Sequence, residues 1–161
     1  MDELSTAFVR SPIGWLEVRG GPRGVAAVHF ASGAVRHRDA GRPLPAPVSS
    51  CLRQLDEYFR GTRWTFSVEL DLRGTEFQKR IWRLLLEVPF GKTASYRGIA
   101  AAAGNAKATR AVGGANHRNP VSIIVPCHRV VGADGRLTGY GGGLWRKEWL
   151  LNHEKRIAGR F

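Results

Sequence analysis

The sequence predicts two joined units: an α/β unit with a small antiparallel sheet and one helix, then a mostly helical unit built around a winged helix-turn-helix. Three observations carry that prediction. Alternating, strand-like segments occur before about residue 72, interrupted by one stripe at helical spacing, and the segments beyond it are mostly at helical spacing. Early glycine- and proline-containing turns divide short alternating segments. The positive charge is confined to the second half: residues 1–71 carry 9 Lys+Arg against 8 Asp+Glu, and residues 72–161 carry 16 against 5. The boundaries read from these shifts are 1–71 and 72–161.

A basic half of this kind is what a chain facing a polyanion presents, although a merely basic, well-solvated surface would have the same composition. Arginine outnumbers lysine 20 to 5, which favours planar donors that match phosphate and stack on bases. No apolar run approaches a membrane span, and MDELSTAFVR is acidic where a signal peptide needs cations, so a cytoplasmic or nucleoid location is expected, with no membrane partner. Cys51 and Cys127 are too few for a disulfide framework, and the five histidines show no ligand spacing; neither a metal nor a cofactor is expected.

In chain order, Ala7–Arg10 and Trp15–Arg19 flank the hairpin signal Ser-Pro-Ile-Gly, and Val25–Phe30 supplies a third strand. Residues 33–47 are rich in breakers and read as a loop. Val48, Leu52, Leu55, Tyr58 and Phe59 recur at helical spacing up to Gly61, with Cys51 beside the stripe as a small core residue. WTFSVELDL (64–72) alternates strictly and predicts a closing strand. Thr75 is placed to cap a helix with Phe77, Ile81, Leu84 and Leu85 inward, broken by Pro89 and Gly91. Ser95 is placed to cap YRGIAAAAG, and a further helix runs from about Lys107 to His117, with Ala108, Val112 and Ala115 buried; together they predict the helix-turn-helix. Arg129–Gly132 and Arg136–Thr138 read as the wing hairpin, and GYGGG leads into a last helix over about 145–157.

Gly113 and Gly114 stand inside a helix, where each costs about 1 kcal/mol relative to alanine. Two reasons fit: close approach of the helix backbone to a nucleic-acid groove, or close packing on the preceding helix. Arg110 lies off the buried stripe, where it would read a base edge, wedge between bases or contact a phosphate.

IIVPCHRVVG (123–132) places Cys127 in an apolar frame directly before His128. Such a frame raises a thiol pKa unless a base or cation is near. In a continuous strand the two side chains would point to opposite faces, but Pro126 turns the chain and brings them closer, with a bridging water favoured over direct contact. Leu151, Glu154 and Ile157 share one face of the last helix, so Glu154 points inward and is expected to orient His128 as the third member of a relay. His153 is expected to face solvent.

PCHRV, preceded by SYRGIAAAAG and RAVGGANHRNP and followed by GYGGG and KEWLL, closely resembles the O6-alkylguanine-DNA alkyltransferases, also called methylated-DNA protein-cysteine methyltransferases. The strong match runs from about Leu72 to Ile157, and the first unit fits through SPIG and its strand pattern. The resemblance implies a ribonuclease-H-like fold for the first unit. For the whole, it implies single-use repair of double-stranded DNA carrying O6-alkylguanine, and of O4-alkylthymine, by a chain that is monomeric or cooperative on DNA. By position in the motifs it implies Cys127 as alkyl acceptor, His128 as water-mediated base and Glu154 as the acid that orients it. Tyr96 would help protonate guanine N3, Arg110 would replace the flipped base, and Asn119 would brace the turn. The Cys127 and Val130 carbonyls would receive the guanine amino group, and a backbone amide near Tyr140 and Gly141 would approach O6. The small residues Ala111, Gly113 and Gly114 would let the helix enter the minor groove. Two rivals stay in view: a sensor that binds lesions without transfer, against which Cys127 argues, and a Cys-His-Glu hydrolase, for which the basic half would have no use.

Overall fold

The computed structural model describes residues 3–32 and 42–160, and its chain divides into two compact units, Met1–Arg73 and Gly74–Phe161. In the first, β1 (Ser5–Ser11), β2 (Gly14–Gly21) and β3 (Gly24–Phe30) form an antiparallel meander. Ser11 closes the first turn by donating its hydroxyl to the Gly14 carbonyl at 2.6 Å. Leu16, Val18, Val25 and Val28 are fully buried beneath α1 (Ala46–Phe59), whose Val48, Cys51, Leu55 and Tyr58 complete this core. The helix lies close to the sheet: a Cβ on Gly20 would sit 3.0 Å from Val48 Cγ2 and 2.7 Å from the Gly24 carbonyl. Burial pushes the Cys51 thiol up to about 12, as suits an inert core residue. Within the loop expected at 33–47, residues 33–41 lie outside the described residues, and the helix begins at Ala46.

The closing strand predicted at 64–72 is only partly formed. Its side chains do alternate, with Trp64, Phe66, Val68 and Leu70 more buried than the residues between them. Ladder bonding is limited to a parallel bridge at Val25 and Leu70. Further up, the Gln54 side chain replaces a neighbouring strand: its Oε1 accepts from Ser67 N at 2.8 Å and its Nε2 donates to Ser67 Oγ at 3.1 Å. Alternation fixes which face is buried, whereas strand pairing also needs an open edge.

In the second unit, α2 (Glu76–Leu85) begins at a capping box in which Thr75 and Gln78 satisfy each other's backbone N–H, an arrangement worth about 1 kcal/mol. Ile81, Trp82 and Leu85 are its buried face, and Trp82 Nε1 donates to the Ala115 carbonyl at 2.8 Å. Phe77, predicted inward, is 41% exposed; Trp82 fills that place because the buried stripe is set by 81, 82 and 85. A two-residue strand β4 (Ala94–Ser95) precedes α3 (Tyr96–Ala102), with Ser95 Oγ accepting from Gly98 N, and α4 (Thr109–His117) follows. Gly104, at φ 94°, makes the turn between the two helices. The last helix, α5, spans Leu144–Ala158.

The wing hairpin does not form. Val130–Val131 (β5) instead pairs in parallel with β4, and the segment after it closes as a turn, with Gly132 N donating to the Arg136 carbonyl at 2.8 Å. His153 is buried, not solvated, because its ring stacks on Trp149 at 4.8 Å between centroids. No helix among the described residues is long and apolar enough to cross a membrane.

Candidate active site

Two tight turns build the frame around the cysteine. Ile124 N donates to the Ser122 carbonyl at 2.9 Å across Ile123, whose φ of 74° is a costly value for a β-branched residue, about 1–3 kcal/mol. Cys127 N donates to the Val125 carbonyl at 2.8 Å across Pro126, at φ −82° and ψ 63°. Asn119 spans the segment between them: Nδ2 donates to the Val125 carbonyl at 2.8 Å, and Oδ1 accepts from Val121 N at 3.0 Å. This buried amide, one residue past the C-cap of α4, ties the helix-turn-helix to the turn, as its motif position implied.

Cys127–Arg129 then form a single 3₁₀ turn. Successive residues in such a turn are about 120° apart, unlike the opposed neighbours of a strand, so Cys127 and His128 can serve one site. His128 is fully buried, and its Nε2 lies 2.7 Å from Glu154 Oε2. Three further donors fill the Glu154 carboxylate: Gly91 N at 3.2 Å and Arg129 Nε at 2.8 Å on Oε1, and Arg129 Nη2 at 3.1 Å on Oε2. Arg129 also donates to the Val88 carbonyl at 2.7 Å, which anchors the end of α2 to the same carboxylate. Gly91 reaches it because its φ is 78° and because a Cβ there would sit 2.9 Å from Ala158 Cβ.

The electrostatics assign charge states. Burial alone would raise the Glu154 carboxyl, but attraction to His128 and hydrogen bonds from His128 and Arg129 outweigh it and hold the group well below the usual carboxylate range. Burial lowers the His128 pKa below 6.5 despite the nearby carboxylate, and the Arg129 and Lys147 charges push the same way. His128 is therefore neutral, donates from Nε2 to Glu154, and carries its lone pair on Nδ1, which has no hydrogen-bond partner in the structure. Burial raises the Cys127 thiol, opposed by a hydrogen bond from Asn119, the Lys147 charge and backbone N–H groups. A protonated thiol beside a neutral imidazole is the resting state of a nucleophile that needs a base.

The outer face is carried by α4. Arg110, Gly113 and His117 share one side of the helix and, with Tyr96, Thr109, Thr138 and Gly139, line an open cavity of about 490 Å³. A Cβ on Gly114 would meet nothing within 4 Å, and one on Gly113 would only touch Tyr96 at 3.9 Å. Packing against α3 therefore does not require these glycines. Arg110 and Ala111 are exposed, as are Arg97, Lys107 and Arg118 around them.

His128, next to Cys127 in the same 3₁₀ turn, meets Glu154; Tyr96 and Arg110 belong to the cavity, which Cys127 does not line. Thr138 joins the two regions. Its hydroxyl lies 2.5 Å from the Tyr96 hydroxyl, and its carbonyl accepts from Lys147 Nζ at 3.1 Å. Lys147 also donates to the Val130 carbonyl at 2.6 Å, and Asn116 Nδ2 lies 3.4 Å from the Cys127 carbonyl, so both carbonyls that the resemblance assigned to a guanine amino group already carry a donor. Tyr140 is buried and Gly141 exposed in the loop before α5. Among the described residues no cluster of side chains is suited to a metal ion.

Sequence reasoning missed Arg129, Thr138 and Lys147. A signal for Lys147 was present: it stands seven residues before Glu154, on the stripe continued by Leu150 and Ile157, and a lysine on a buried stripe invites a question. Arg129 gave the same signal, a cation between His128 and two valines.

The 6-O-methylguanine DNA methyltransferase ribonuclease-like domain matches residues 4–72, and the DNA binding domain of the same description matches residues 76–156. A methylated-DNA–protein-cysteine methyltransferase of Mycobacterium bovis is 56% identical over 116 residues, 72% of this chain and 70% of its own. One from Methanosarcina acetivorans is 47% identical over 150 residues, 92% of this chain and 96% of its own. Among solved structures, the Mycobacterium tuberculosis O6-methylguanine methyltransferase superposes with a TM-score of 0.85 at 46% identity, covering 96% of this chain and 94% of its own. A DNA complex of the M. tuberculosis protein gives 0.83 at 47% identity, covering 93% and 92%.

Proposed function

The chain belongs to the 6-O-methylguanine DNA methyltransferase family, and we propose that Cys127 is the atom through which it repairs DNA. Its activity is the direct reversal of DNA methylation by transfer to a protein cysteine, and its macromolecular partner is DNA. In the reading advanced here the lesion is O6-alkylguanine in a duplex, and the nucleotide is rotated out of the stack at a cost of about a few kcal/mol. Exposed cations on α3 and α4 and insertion of Arg110 offset that cost, while Gly113 and Gly114 let the α4 backbone approach the groove.

Chemistry then follows from the charge states. The Cys127 proton passes to His128 Nδ1, directly or across a water, and the Glu154 carboxylate stabilises the imidazolium that forms. The thiolate sulfur bonds to the alkyl carbon as the carbon–O6 bond breaks, with its electron pair going to the guanine. The Tyr96 hydroxyl, coupled to Thr138, assists protonation at guanine N3. The products are guanine and a thioether, which has no leaving group for water to displace, so each molecule acts once.

The observation that carries this reading is the buried 2.7 Å contact between Glu154 and His128, the residue after Cys127 in the same 3₁₀ turn, within the region matched by the DNA-binding family model. The test is intact mass after incubation with a duplex containing O6-methylguanine. One added methyl per protein, equal to the guanine restored, is expected. Tight binding with unchanged mass would indicate a sensor, and turnover of an ester without mass change would indicate a hydrolase; either would overturn the proposal.

A further inference from the structure

Lys147 is fully buried, yet its ammonium has only two hydrogen-bond acceptors, the Val130 and Thr138 carbonyls, and no carboxylate within ion-pair distance among the described residues. The neighbouring residue in the chain, Glu148, is exposed, and Glu154 is filled by Arg129, His128 and Gly91. Taking an ammonium out of water without an anion is unfavourable, and a methionine on this stripe would avoid that cost. Some state of the protein therefore uses the charge. The acceptor carbonyl points to which: Val130 ends the 3₁₀ turn that starts at Cys127, and its N–H returns to the Cys127 carbonyl. The charge is thus fixed at the far end of the turn that holds the sulfur.

We propose that Lys147 is the counter-charge of the Cys127 thiolate, a positioning residue that stabilises the sulfur anion and is left without an anionic partner when that sulfur becomes a thioether. The inference rests on Cys127 being the alkyl acceptor. Attraction between the two groups lowers the cost of ionising Cys127 and of keeping Lys147 charged, opposing burial at both. The other ionisable groups facing this site are accounted for. His128 is neutral, Glu154 and Arg129 are paired with each other, and burial keeps the Tyr140 hydroxyl protonated. Arg146 lies over the Trp145 ring at 4.7 Å. Lys147 also disfavours a proton on His128, which keeps the base ready. After transfer the sulfur is a thioether that cannot ionise, so the ammonium has no anionic partner at any pH, and the same residue promotes the reaction and marks its completion.

The test needs no DNA. Thiolate absorbance is titrated in the wild type, in Lys147→Met and in Lys147→Arg, alongside the pH profile of Cys127 alkylation by iodoacetamide. Lys147→Met should move the thiol midpoint up by about one unit, a tenfold lower thiolate fraction at fixed pH below it, and Lys147→Arg should return most of the shift. A wild-type measurement covers the case in which Lys147→Met fails to fold. With 13C-labelled lysine, the Lys147 Cε signal should show a step at the thiol's own midpoint, and Cys127→Ser should abolish that step. An unmoved midpoint in folded Lys147→Met, or a Lys147 signal indifferent to Cys127, overturns the proposal. Uptake of methyl from a duplex is scored separately by mass, so failure of the acceptor reading is distinguished from failure of the charge pairing.

Discussion

Glu154→Gln isolates what the carboxylate does, because it keeps the shape and removes the charge. Four hydrogen bonds converge on the two oxygens at 2.7–3.2 Å, and Arg129 and His128 are both buried. Removing one member of a buried ion pair costs about 3–5 kcal/mol, since the guanidinium left behind has no anion and little water. With a urea slope of about 2 kcal/mol per molar, the unfolding midpoint should fall by roughly 2 M. Tryptophan fluorescence reports it, as Trp82 is buried in the same unit. A double substitution, Arg129→Met with Glu154→Leu, should recover much of the loss, because replacing a buried pair by apolar residues is often neutral. His128 would still lack its orienting partner there, so methyl transfer should remain on the order of 100-fold slower. A fall of less than about 0.5 M for Glu154→Gln would refute the claim that this carboxylate anchors the site.

Acid should destabilise the protein in two windows. His128 has a folded pKa below 6.5, so between these values the unfolded chain binds a proton that the folded one does not, and stability declines as pH falls below 6.5. Glu154 is depressed from 4.5, and its contribution is lost as pH falls below that value; in chemical denaturation a stability plateau from pH 6.5 down to about 4.5 would contradict the first window, and one continuing to about pH 3 would contradict the second. Asn119→Ala removes two buried hydrogen bonds across the strained Ile123 turn and should cost about 2–4 kcal/mol by urea titration. Gly114→Ala meets no atom and should raise thermal stability by about 1 kcal/mol while weakening binding to duplex DNA, measured by anisotropy; unchanged affinity would remove α4 from the DNA face. If the exposed cations neutralise about five phosphates, the log–log salt slope of binding should be about −4.5, and a flat dependence would contradict the assignment.

Much of this arrangement was legible because it is local. The Ser11–Gly14 turn, the Thr75 and Ser95 caps and the glycine that ends α3 follow from residue types at fixed offsets. Glu154 was legible for a related reason: a carboxylate on a buried helical face demands a partner, and His128 is that partner. Long-range choices were not legible. Alternation at 64–72 marked a buried face but could not reveal that Gln54 takes the place of a strand. Val130 and Val131 read as half of a hairpin, yet their partner is Ala94–Ser95, far back in the chain. His153 looked exposed by helix phase alone, since its cover is Trp149, one turn away on the same helix. Lys147 was overlooked because lysines are usually solvated, and only its burial gives its position meaning.

The central claim is that a single sulfur accepts the alkyl group, and peptide mapping after repair tests it most directly. The protein holds two cysteines, both buried, and both thiols are raised by burial; only Cys127 has a neutral histidine and a buried cation for neighbours. After incubation with excess O6-methylguanine duplex, the methyl should lie wholly on the Cys127 peptide, at one per molecule and no more with time, and Cys127→Ser should bind the duplex and remain unmodified. Methyl on Cys51, or continued product formation beyond one equivalent, would contradict the account.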